Sequence, residues 1–204
     1  MIINIQDNRE LQAARRAILC SHVFLVLLLL STTYTFAWLQ KSNAGDVASA
    51  LKNLHPTWVG FYLCMWFSVF VCQIFGYYKL AKVGRNLLIF RCIAFPYIAD
   101  AILSLGLFLI LPNASVTTLF NSKIITFFLY TYYSCKLFYE LSRVTQEHFF
   151  RQGILLLSLS LSLLLFTVVL SQKALLAFLF LIGILVGWGM IFIGFYRLKY
   201  ISTH

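Results

Sequence analysis

The chain has 204 residues, 61% of them hydrophobic and 11% charged, with a formal net charge of +10. An average soluble domain carries about 45–50% apolar and about 25% charged residues, so this composition excludes a water-soluble core. The basic residues stand at the ends of apolar runs and form no single patch, which excludes a nucleic-acid surface and fits basic loops on one side of a bilayer.

Several apolar runs are long enough to cross a hydrocarbon layer about 30 Å thick, and they follow one another through the chain. The predicted fold is all-α, a polytopic transmembrane helical bundle of six spans in one domain covering residues 1–204. Asp7 with Glu10 three residues later resembles a capping box, so a helical turn is expected to begin there and to run through Arg15 and Arg16 into span one, residues 17–39. That run is longer than the 7–15 apolar residues of a signal peptide, and no A-x-A-like site follows it, so the first span is expected to stay in the mature protein. From Gln40 to Thr57, the spacing of Val47, Leu51 and Leu54 predicts a short amphipathic helix on the outer surface, ended by Pro56.

Span two covers residues 58–80, with Trp58 at the interface, and Lys82, Gly84 and Arg85 turn the chain back. Span three covers 87–111 and stops at Pro112-Asn113; span four covers 120–141. Ser142 to Arg151 reads as a polar loop. Span five, 152–171, and span six, 174–196, are joined by a tight hairpin at Gln172-Lys173, and the tail RLKYISTH follows. No internal repeat is visible, which disfavours an inverted-repeat transporter.

Charge sets the orientation. Of the 16 Lys and Arg residues, only Lys41, Lys52, Lys123 and Lys173 fall on the side away from the N-terminus. The positive-inside rule then places both termini in the cytoplasm, with the chain in the plasma membrane, or in the inner membrane of a Gram-negative cell. Cys20, Cys64, Cys72, Cys92 and Cys135 lie within apolar runs and make no C-x-x-C pair, so they read as small packing residues. No metal ligand set and no cofactor is predicted.

Ionisable side chains within a span are costly, and each is a candidate functional residue. Asp100 is the deepest, about 20 Å along the helix from Leu87, and Pro96 loosens the turn before it. At a similar depth on span four, Tyr130 is the expected partner of its carboxyl, with Thr126 and Thr131 as further hydroxyls. Nearer the inner surface, Arg91, Lys136 and Glu140 stand at one level, with Gln73 slightly deeper. Tyr132, Lys136, Glu140 and Arg143 share a helix face expected to point into the bundle. This group reads either as a cytoplasmic vestibule for an anionic or zwitterionic head group or solute, or as an Arg91–Glu140 tie with Lys136 snorkelling to the interface; the tie is the simpler reading.

Gly183 and Gly187 form a G-x-x-x-G motif, with Gly194 one heptad beyond it, and predict close helix packing. Ser158 with Ser162, and Cys64, Ser68 and Cys72, are small-residue stripes of the same kind. His22 is the one histidine inside a span, so haem ligation by paired histidines has no second ligand; its depth suggests hydration near the inner interface. No nucleophile motif, zinc motif or phosphate loop is present, and adjacent Glu147 and His148 do not face each other on a helix. The expected function is therefore non-enzymatic: an accessory or structural subunit of a membrane assembly, whose partners are the lipid bilayer and other membrane subunits or a second copy. The alternative is a small-solute, proton or ion transporter or channel using Asp100 at the bilayer midplane.

Overall fold

The computed structural model describes residues 2–5, 7–42, 56–110, 116–170 and 174–202. Among them six helices follow in order: α1 (Arg9–Ser42), α2 (Pro56–Val83), α3 (Leu87–Ile110), α4 (Val116–Thr145), α5 (His148–Leu170) and α6 (Ala174–Arg197). Four stretches are long and apolar enough to cross a membrane: Arg9–Thr35, Pro56–Val83, Leu87–Leu107 and Phe178–Arg197, with mean hydropathies of 2.0, 1.8, 1.7 and 2.5. Their outward faces are apolar as well, with Leu30, Leu63, Ile102 and Leu185 each more than 60% exposed. Apolar surface on that scale is unsuited to water and suited to hydrocarbon.

Helix starts and stops follow from local hydrogen bonding. At the head of α1 the cap is Asn8 and not the expected Asp7–Glu10 box: Asn8 Oδ1 accepts from the Glu10 and Leu11 amides at 2.9 and 3.2 Å. These are two of the amides that no helical carbonyl reaches. Helix α2 ends with Arg85 at a φ of 50°, while the Asn86 amide donates to the Ala81 carbonyl at 2.9 Å and the Arg85 amide to the Lys82 carbonyl at 3.3 Å. This closure satisfies the last carbonyls of α2. Asn86 then caps α3, its Oδ1 accepting from the Leu88 amide at 3.1 Å.

The expected polar loop from Ser142 to Arg151 is corrected to a two-residue break, since α4 continues to Thr145 and α5 starts at His148. Gln146, at a φ of 59°, makes that reversal. Gln40 to Ser42 belong to α1 and Pro56 opens α2; the remainder of the expected surface helix, the Pro112-Asn113 stop and the Gln172-Lys173 hairpin lie outside the described residues. The tail is not a plain extension of span six. Two short strands, β1 (Ile2–Asn4) and β2 (Tyr200–Ser202), pair antiparallel with Ile3 opposite Ile201.

Each helix packs on the next in sequence, most extensively α1 on α2 and α5 on α6, and α6 returns against α1 to close a ring. The α5–α6 approach is set by glycine. A Cβ on Gly187 would stand 2.8 Å from the Gly153 carbonyl oxygen, and one on Gly194 would stand 2.8 Å from the Phe150 ring. Gly183 abuts the Ser160 side chain. The buried core lies toward the end that carries the termini, where Leu11, Ile18, Leu80, Ile89, Leu141, Phe150 and Phe195 are fully covered. The strand pair is bound to that core: Ile5 and Ile201 are buried, the Ser202 hydroxyl donates to the Val144 carbonyl at 2.8 Å, and Arg15 donates to the Leu198 carbonyl at 3.3 Å.

Candidate functional site: a cavity shared by six helices

Between the helices lies a partly open cavity of about 280 Å³, to which every helix contributes: His22 from α1, Gln73 from α2, Tyr97 from α3, Tyr130 from α4, Leu157 from α5 and Trp188 from α6. Gln73, Tyr97 and Trp188 stand about 14–15 Å from the termini-side ends of their helices, roughly half the thickness of a bilayer's hydrocarbon layer. Pro96 and Cys92 also line the cavity. Because proline has no amide hydrogen, the Cys92 carbonyl loses its usual intrahelical donor there.

Among its polar lining residues, the Tyr97 hydroxyl donates to Gln73 Oε1 at 2.8 Å, and the Tyr97 and Tyr130 rings meet edge-on at 5.6 Å. His22 and Trp188 differ. His22 is 6% exposed, and neither of its ring nitrogens has a hydrogen-bond partner among the described residues; the same holds for the Trp188 indole nitrogen. His22 is clasped by rings of α6, with centroids 5.7 Å from Trp188, 6.3 Å from Phe192 and 5.7 Å from Phe195. Buried polar atoms are nearly always hydrogen-bonded, so three unpartnered nitrogens on two residues that line one cavity are unusual. A neutral imidazole offers one donor and one acceptor, and an indole offers one donor.

Toward the termini the cavity is stoppered by aromatic packing. Phe150 meets Phe195 edge-on at 4.8 Å, and Phe138 and Tyr77 lean on the same pair, Phe138 at 6.2 Å from Phe150 and Tyr77 at 6.0 Å from Phe195.

This arrangement revises the sequence reading in several places. His22, expected to be hydrated near the interface, is buried among rings, because it continues the covered stripe Leu11, Ala14 and Ile18 at helical spacing. That stripe was the available signal, and depth along the helix concealed it. Tyr130 and Gln73 line the cavity; Asp100 is not among its lining residues and is half-buried. The Thr131 hydroxyl donates back to the Phe127 carbonyl at 2.9 Å.

The Arg91–Glu140 tie is also corrected. The Glu140 carboxylate accepts from Asn86 Nδ2 at 2.6 Å and pairs with Arg143 at 2.6 Å, while Arg91 is exposed. Arg143 lies one turn along the same helix, and Asn86 is held in place by its capping role, so both reach Glu140 at little conformational cost. Of the face expected to point inward, only Glu140 is buried; Tyr132, Lys136 and Arg143 point outward. Among the described residues, no group of three or more metal-ligating side chains occurs. No family model, curated protein or solved structure matches the chain.

Proposed function

We propose that this chain is a six-span integral membrane protein with both termini in the cytoplasm, and that it binds and carries a small, uncharged organic solute in the cavity between its helices. The observation that carries the reading is that His22 and Trp188, whose buried ring nitrogens have no hydrogen-bond partner among the described residues, both line a cavity of about 280 Å³. Desolvating each such atom without a partner costs about 1–3 kcal/mol, a cost that a bound solute removes. An apolar cavity of about 150 Å³ takes up benzene, so this one suits a ring bearing a carbonyl or hydroxyl at one edge. Mid-depth sites between helices are where membrane carriers hold their cargo. The accessory-subunit reading draws on composition and short connections, which suit a carrier equally well.

The test compares small molecules released on denaturation by wild type and by His22→Phe, each extracted from its native membrane in mild detergent. Wild type is expected to release at least one compound near one equivalent that the variant lacks. Identical sets from the two proteins would overturn the reading.

A further inference from the structure

Helix α4 presents an outward stripe at helical spacing that changes character along its length. Ile125, Phe128 and Tyr132 are each at least 60% exposed, and Lys136, Tyr139 and Arg143 continue the stripe toward the termini. The basic part opens into a groove of about 710 Å³ that Arg151 and His148 of α5 also line. Cations from two helices therefore converge on one concavity, beyond what basic helix ends require for orientation. Glu140, the one acid lining it, is already engaged by Asn86 and Arg143, which leaves Lys136 and Arg151 for an external anion. The Arg151 guanidinium lies over the Tyr139 ring at 5.5 Å, which holds it at the groove.

An open, largely apolar surface runs along α5 past Leu155, Leu156 and Leu159. The basic groove and this apolar surface adjoin along α5, which lends His148 and Arg151 to the one and Gln152 and Leu155 to the other. A basic concavity that passes into apolar surface along the same helices matches an acidic head group with its acyl chains. A soluble anion would make no use of the apolar continuation.

We infer that the α4–α5 groove is a binding site for an anionic phospholipid, with Lys136 and Arg151 on the phosphate and the exposed faces of α4 and α5 along the chains. The site is separate from the central cavity and does not depend on it.

The test offers purified wild type equal amounts of dioleoyl phosphatidylglycerol and dioleoyl phosphatidylcholine and counts retained lipids by native mass spectrometry. Wild type should favour phosphatidylglycerol, the Lys136→Gln/Arg151→Gln variant should lose about thirtyfold in that preference, and Arg91→Gln, which removes a cation outside the groove, should keep it. Equal retention of the two lipids by wild type, or a preference unchanged in the double variant, overturns the inference. Displacement of phosphatidylglycerol by millimolar inorganic phosphate would reassign the groove to a soluble anion and overturn the lipid assignment. Should the double variant fail to fold, the decline of the wild-type preference with added salt decides the question: a salt-independent preference overturns the inference.

Discussion

Replacing His22 with Phe tests the cavity through stability as well as binding. Phe keeps an aromatic ring among Trp188, Phe192 and Phe195 and deletes both unpartnered nitrogens. Each unsatisfied buried polar group costs about 1–3 kcal/mol in the empty protein, so removing the imidazole restores at least one such increment. Overpacking normally costs about 1–3 kcal/mol. Here His22 lines a cavity of about 280 Å³, which gives the larger ring room to settle. The net expectation is a gain of about 1–3 kcal/mol, with each kcal/mol raising Tm by about 2–4 °C for a chain of this size. Thermal unfolding of the solute-free protein in detergent measures this directly, and the same variant is expected to lose solute. A Tm that falls while solute binding persists would refute the reasoning, since it would mean that the His22 nitrogens are already satisfied and hold the fold together.

Glu140→Ala should lower Tm by several degrees, because hydrogen bonds to a charged group contribute about 1.5–3 kcal/mol and the change releases both Asn86 and Arg143; Arg91→Ala should stay within about 0.5 kcal/mol of wild type. Equal losses in thermal unfolding would restore the Arg91 tie. Gly187→Ala should destabilise by about 1–3 kcal/mol, because its Cβ meets backbone atoms of Gly153 and Leu157 that cannot yield. Gly189→Ala meets nothing within 4 Å and should be neutral or stabilising by up to about 1 kcal/mol; the reverse order would refute the α5–α6 packing. A reporter fused after Lys173 should lie outside the cytoplasm, and cytoplasmic activity from it would reverse the orientation.

Much of the architecture is local and was legible in the chain. Apolar run length and the punctuation at Lys82, Gly84 and Arg85 depend on nearby residues alone, and they predicted the helices within a few residues at most ends. The failures also have physical causes. Asn8 and Asp7 are both good caps, and the choice between them depends on how the chain enters α1 from β1, where the Asn8 amide reaches the Ile5 carbonyl at 3.2 Å. The β1–β2 pair joins segments almost a whole chain apart, and three-residue strands carry no periodicity to detect.

The candidate site was legible by parts. Sequence alone determined that the chain is a helical bundle with apolar outer faces, that its basic residues gather at one end, and that Gln73, Tyr130 and Glu140 are polar groups at stated depths on their helices. Depth is a property of a single helix, fixed by rise per residue. Direction around the helix and the partner met there are not, and only the tertiary structure decided them. The ring closure of α6 on α1 turned His22 from a hydrated edge residue into a buried one beside Trp188, and the reach of Asn86 and Arg143 to Glu140 left Arg91 outside. Which polar atom lacks a partner depends on all six helices at once, and no single segment of the chain encodes it.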